Sequence, residues 1–286
     1  MTALLFALSA VILFAGTVLF LRTVWFHRDP RHPDVPQRDD VVRSPVYGIV
    51  AYVRRVEDGI IAAEKKGEEI PLPELTKEDG NETGWLVGIA MTALDVHFQY
   101  APIPAVVESL HHHRTGRNLP MFDLWEYVRI TWLRRWVSLW AKRYLLENER
   151  MTFRLRGKRV TLSLVLIADK FVDKITPLIQ TGSGVAAGQK LSFIGRGSQV
   201  DVFLPDAPGL EIAVQPGDRA LGPHTVIARL HAFEADSGVA ALYSLHKAAD
   251  SCSRDAYAPC LTWRMAIPKE GERPASLQPT AEPSVR

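Results

Sequence analysis

The sequence predicts a β-rich α+β fold, with a sandwich-like core, a few helices and one N-terminal transmembrane helix. Three observations predict it. An uncharged apolar run opens the chain, from Thr2 to Leu21. Short runs rich in Val, Ile, Leu, Tyr and Phe, punctuated by Gly and Pro, recur from residue 44 to residue 230. One stretch, 122–146, instead carries its aromatic residues at helical spacing. At 286 residues, 47% of them hydrophobic, the chain can build a sizeable core plus one membrane segment in one or two domains.

About 20 apolar residues span a bilayer as a helix. Arg22, His27, Arg28 and Arg31 follow the run at once, and no Lys or Arg precedes it. That asymmetry places the bulk of the chain on the cytoplasmic side. A cleaved signal peptide would carry its basic residues before the apolar stretch, so residues 1–24 are assigned as an anchor. Trp25 and Phe26 fall at the interface. Residues 25–43, rich in Pro, Asp and Arg, read as a linker, 44–267 as the folded domain, and the Pro-, Glu- and Ser-rich 268–286 as a disordered tail.

Within the domain, "SPVYGIVAYVRRVEDG" (44–59) reads as a strand and turn, and 84–109 as two further strands broken at prolines. Residues 158–175 begin as a strand. Trp125, Trp132, Trp136 and Trp140 recur at spacings of seven, four and four, which places them on one face of a helix, interleaved with Arg129, Arg135 and other basic residues. Such a helix suits a membrane surface; it equally suits packing of its Trp face on a sheet. "ITPLIQTGSGVAAGQKLSFI" from Ile175 and "GLEIAVQPGDRALGPHTVIA" from Gly209 form an approximate repeat, each an apolar strand, a Gly turn (Gly182, Gly217), a second Gly (Gly188, Gly222) and another strand. Paired strand-turn-strand units build a small sandwich of the lipoyl-carrier type; two unrelated hairpins would look similar.

A net charge of +2 with well-mixed signs argues against a nucleic-acid partner. Cys252 and Cys260 lack further ligands at zinc spacing and read as reduced thiols. His111, His112 and His113, beside Arg114 and Arg117, read as a solvated or headgroup-facing basic loop, and no metal is expected.

The segment "FIGRGSQVDVFLP" (193–205) resembles the processing site of the phosphatidylserine decarboxylase family, where a Gly-Ser bond precedes a strand of the type V-D-V-x-L-P. Upstream "VAAGQ", downstream "VQPGDRALGPHTVIA", "WFHRDPRHP" after the anchor and "LDVHFQYAP" resemble further motifs of that family, in order over Trp25 to Arg229. The resemblance implies self-cleavage between Gly197 and Ser198, conversion of Ser198 to a pyruvoyl group, and decarboxylation of phosphatidylserine to phosphatidylethanolamine without a metal. A serine hydroxyl after a glycine has an unhindered approach to the preceding carbonyl. The pyruvoyl ketone then acts as an electron sink. The partners implied are the phospholipid and its membrane, with the two cleaved chains staying associated; a homo-oligomer is compatible with this.

The resemblance places His97 at the decarboxylation centre, for proton transfer or carboxylate positioning, with Asp95 orienting the local backbone. Two positions depart from the family pattern. Tyr47 in "SPVYG" stands where many members have Asp, and Tyr100 stands where many have a second histidine. A phenol cannot orient and charge an imidazole as a carboxylate does, so slow or incomplete self-cleavage is expected. The alternatives are a catalytically impaired, membrane-bound lipid-binding member of the family, or a pyruvoyl decarboxylase of another amino-lipid.

Overall fold

The structure is a computed structural model that describes residues 2–32, 34–62, 69–78, 80–92, 94–133, 135, 137–140, 142–170, 175–195 and 198–231. Cys252, Cys260 and the expected tail lie outside the described residues, as do Gly197 and Trp136.

Helix α1 (Thr2–Phe20) continues as a wider π-type turn, Leu21–Trp25. Residues Leu4–Trp25 form a span of 22 residues that is long and apolar enough to cross a membrane. Large apolar side chains point outward all round α1, among them Leu5, Phe6, Ile12 and Phe14. A helix apolar on every side needs an apolar surrounding.

The strands in chain order are β1 (Val41–Arg43), β2 (Tyr47–Glu57), β3 (Ile60–Ile61), β4 (Ile70–Pro71), β5 (Gly84–Met91), β6 (Phe98–Tyr100), β7 (Ala105–His113) and β8 (Arg150–Arg156). They continue with β9 (Thr161–Ala168), β10 (Ile175–Pro177), β11 (Gly184–Val185), β12 (Lys190–Ile194), β13 (Ser198–Pro205), β14 (Leu210–Ile212), β15 (Arg219–Leu221) and β16 (Val226–Leu230). Short helices α2 (Leu72–Thr76), α3 (Leu124–Thr131) and α4 (Tyr144–Glu147) interrupt them. The chain is therefore β-rich with a few helices, as expected.

One large sheet runs β11-β7-β8-β9-β13-β5-β2-β3-β4, with β15 also on β2. Strand β13 lies near its middle, and every residue from Ser198 to Leu204 is buried. Alternation sends Val200, Val202 and Leu204 to one face, where they join Val42, Ile194 and Ile227 from the two three-stranded sheets β1-β16-β14 and β10-β12-β6. Phe203 goes to the other face, with Leu75, Ile130, Leu139, Trp140 and Tyr144 from the helical side.

The two halves of the internal repeat have matching strand pairings. In the first, β10 pairs β12 while β11 joins β7; in the second, β14 pairs β16 while β15 joins β2. Gly182 and Gly217 turn at φ of 85° and 98°, where a side chain would be strained.

Three expectations need correction. Residues 84–109 form three strands, and the first break is at Thr92–His97 rather than at a proline. There the Asp95 carboxylate accepts from the Thr92 N–H at 2.9 Å and its hydroxyl at 2.7 Å, closing a turn that ends β5. Next, His111, His112 and His113 are the last residues of β7 rather than a loop: they pair with Thr152, Met151 and Arg150 of β8, and His112 Nε2 lies 2.6 Å from Glu149 Oε1. Finally, 122–146 is not one helix. A capping box between Asp123 and Glu126 starts α3, which ends at Thr131. Beyond it the chain drops Val137, Leu139 and Trp140 into the core. Burial of that apolar cluster outweighs continuation of the helix, since tertiary packing supplies most helix stability.

Candidate active site

Strand pairing brings four strands together at one end of the large sheet. Ser198, the first residue of β13, pairs with Met91 at the end of β5 and with Ala168 at the end of β9. Ile49, two residues into β2 from Tyr47, pairs with Ala90. Ser198 is fully buried, and its hydroxyl donates to Met91 Sδ at 3.2 Å. A thioether is a weak acceptor, so the hydroxyl is held without a strong competing bond.

The turn after Met91 carries Asp95 and His97 back toward the same place. The Ile194 N–H donates to the His97 carbonyl at 3.1 Å, and Phe98 pairs with Phe193, so His97 runs beside the chain that leads into Ser198. Its ring is buried, with Phe26 edge-on at 5.0 Å. Burial pushes its pKa down to about 4, the nearby Asp95 charge opposing and the Arg28 charge adding to the fall. The imidazole is neutral at pH 7.

Tyr47 and Tyr100 stand together, ring centroids 6.4 Å apart. Burial raises the pKa of both phenols. Sequence reasoning missed what they enclose. His32 lies edge-on to Tyr100 at 4.8 Å, with Nε2 3.5 Å from the Tyr47 hydroxyl and Nδ1 3.0 Å from His224 Nε2. Burial lowers the His32 pKa, and the neighbouring His224 lowers it further. His32 belongs to the segment expected as a linker, yet that segment is fastened to the domain. Gln37 exchanges hydrogen bonds with the main chain of Ala187, at 3.0 and 2.7 Å, and Val35 is buried against Gly188.

A cavity of about 460 Å³ opens beside these groups, lined by Arg28, Tyr47, Asp95, Val96, Arg219 and Leu221 among others. Its size lies in the ~300–1,000 Å³ range of small-molecule sites.

On the opposite face of β13, a polar network is buried without water-facing members. Tyr52 donates to Asp201 Oδ2 at 2.7 Å, Gln199 Nε2 to Asp201 Oδ1 at 2.6 Å, and Tyr144 to Gln199 Oε1 at 2.6 Å. Gly88 leaves the room: a Cβ there would come within 2.4 Å of the Tyr52 ring. Burial pushes the Asp201 carboxyl up from 3.8 to about 7. Between those values the folded protein keeps a proton that the unfolded chain has lost. Stability is therefore fullest below 3.8 and falls as pH rises through the window. Asp201→Asn removes this titration. Denaturant melts at pH 5 and pH 8 are expected to show the variant gaining on the native chain at the higher pH, by about 1.4 kcal/mol for each pH unit of the window crossed. A gap independent of pH would show that the carboxyl is ionised throughout.

The tryptophans divide. Trp125 and Trp132 are 63% and 72% exposed. Trp140 is only 7% exposed, packed edge-on to Tyr52 at 5.0 Å, and so is removed from any membrane surface. Arg135 is exposed and Arg129 half-buried. Two exposed indoles near basic residues suit an interface. Protein lacking residues 1–24 is expected to float with anionic vesicles at low salt and to lose part of that binding at high salt, where the contribution of about 1 kcal/mol per basic residue is screened. Trp125→Ala with Trp132→Ala should abolish flotation; truncated protein that ignores vesicles at any salt would rule this surface out.

The sequence comparisons agree with the reach of this architecture. The phosphatidylserine decarboxylase family matches residues 19–228. A phosphatidylserine decarboxylase proenzyme of Symbiobacterium thermophilum is 31% identical over 227 residues, covering 78% of this chain and 84% of that protein. Proteins of the same description from Paramagnetospirillum magneticum and Pelodictyon phaeoclathratiforme are 30% and 27% identical, covering 80% and 79% of this chain and 84% and 89% of theirs. The family match runs from the end of α1 into β16 and takes in the His97 turn and Ser198; on that extent, the chain belongs to the phosphatidylserine decarboxylase family.

Proposed function

We propose that the protein is a self-processing, pyruvoyl-dependent decarboxylase that converts phosphatidylserine to phosphatidylethanolamine after cutting itself between Gly197 and Ser198. The observation that carries the reading is Ser198 itself. It heads a buried central strand, its hydroxyl bonded to a thioether rather than an oxygen, beside the turn that presents a neutral His97. Attack of Ser198 Oγ on the Gly197 carbonyl carbon exchanges the peptide bond for an ester, and the Ser198 nitrogen takes up a proton as it leaves. β-Elimination of that ester removes the Ser198 α-proton, releases Gly197 as a carboxylate and leaves dehydroalanine, which takes up water and loses ammonia to become the pyruvoyl group. The pyruvoyl ketone supplies the electron sink for loss of carbon dioxide. His97 is the group we assign to hold or move a proton at the substrate carbon, its backbone set by the Asp95 turn.

A single-pass topology with the domain in the cytoplasm is part of the proposal, supported by the basic residues that follow the apolar run. The matched strand pairings support the lipoyl-carrier-like reading of the two repeats. A second reading, an impaired lipid-binding member of the family, is favoured by one observation: two phenols occupy Tyr47 and Tyr100.

Denaturing electrophoresis with mass analysis separates the two. The expected result is chains 1–197 and 198–286, the second blocked at its N-terminus, with residual precursor. One intact chain under all conditions would remove the pyruvoyl mechanism and leave the lipid-binding reading.

A further inference from the structure

The 460 Å³ cavity is lined by Arg28, three residues past the end of the membrane-length helix. Trp25 is the last residue of that span, and the Arg28 guanidinium lies 4.1 Å over its ring. Arg28 donates to the Trp25 carbonyl at 2.9 Å and also to the Leu94 carbonyl. These carbonyls fix the guanidinium, and the Asp95 charge acts on it as well. Arg219, exposed on β15, lines the same cavity. Of the two carboxylates in the lining, Asp29 is paired with Lys190, and Asp95 accepts from the Thr92 N–H and hydroxyl. Two guanidinium groups, Arg28 and Arg219, thus line the cavity, with Arg28 against Trp25, a residue type enriched at lipid headgroup level. The same lining includes Asp95 and Val96, the residues that precede His97.

We infer that Arg28 and Arg219 bind the phosphodiester of a serine glycerophospholipid, so that the amino-acid end of the headgroup extends toward His97. This rests on the reading of the protein as an amino-lipid decarboxylase and assigns the part of the substrate that does not react. Guanidinium groups suit the role because their planar donors meet phosphate oxygens in pairs.

The test uses detergent-solubilised full-length Ser198→Ala protein, kept as one chain, titrated calorimetrically with glycerophosphoserine, free serine and inorganic phosphate. Glycerophosphoserine should bind saturably and more tightly than either fragment. Arg219→Glu should weaken it about tenfold or more, the scale of one charge-assisted contact. Arg156→Glu, an exposed arginine of β8 paired with Glu108, should not. The inference is overturned if glycerophosphoserine does not bind, if Arg219→Glu binds it equally well, or if free serine binds as tightly. Inorganic phosphate binding as tightly would make this a free-phosphate site and overturn the headgroup assignment. Decarboxylation of phosphatidylserine by the native chain is assayed separately. Its absence with binding intact removes the enzyme reading alone, and its presence without an Arg219 effect removes the subsite alone.

Discussion

Ser198→Ala is expected to leave one chain of 286 residues and no decarboxylation at all. Alanine has no nucleophile, and no other residue can yield the ketone at this position. The loss cannot be ascribed to unfolding. The hydroxyl gives up one bond to a thioether, and even an ordinary hydrogen bond contributes only about 1 kcal/mol net. Thermal melting of the variant should match that of the uncut native chain. Ser183→Ala is the control: Ser183 also follows a glycine, but it precedes a two-residue strand, β11, on the far edge of the sheet. It should cut as the native chain does. If Ser198→Ala still splits between 197 and 198, the cut is ordinary proteolysis.

The second large effect is expected at His97 and Tyr47 together. General acid-base groups contribute about 10²–10⁴-fold, and His97→Ala should cost decarboxylation by that order in protein already cut. Its ring packs against Phe26, so a melt must accompany the assay, and His97→Gln, closer in volume, separates packing from proton transfer. Tyr47→Asp acts on the earlier step. A carboxylate there would accept from His32 and face Arg28, whose charge already opposes the rise of the Tyr47 pKa. Electrophoresis of fresh protein should then show less precursor than the native chain. Native cleavage that is rapid, complete and unchanged in Tyr47→Phe would mean that no acid is needed here. Cleavage lost in His97→Ala would make His97 the base of self-cleavage too; cleavage that survives leaves that base to be sought at His32 and its partner His224.

The large features were legible because each has a local cause. An uncharged apolar run reads as a helix long enough to cross a membrane, and β13 reads as a buried strand because both its faces are covered. Local spacing failed where long-range packing decided. Trp140 has the helical spacing of Trp132 and Trp136, yet it is drawn out of that series by Tyr52 from a strand some 90 residues earlier. The triple histidine looked like a loop because nothing in its own residues announces β8 as a partner. His224 carried no signal at all, since its importance lies in a neighbour 192 positions away. Arg28 and His32 lay in a segment whose prolines and charges disguised how firmly it is fastened.

The central place of β13 also determines what becomes of the molecule once the bond before it opens. Strand β13 is hydrogen-bonded on one side to β5 and on the other to β9, both from the upstream piece, and β15 and β16 are held by β2 and β1. The two products would therefore share strands of two sheets, comparable to a protein divided in two and reassembled. Any hold that α1 has on a bilayer would reach the downstream piece through this strand pairing. Salt or alkaline washing should leave it with the membrane fraction, while a denaturant that melts the sheet should release it and leave the upstream half behind.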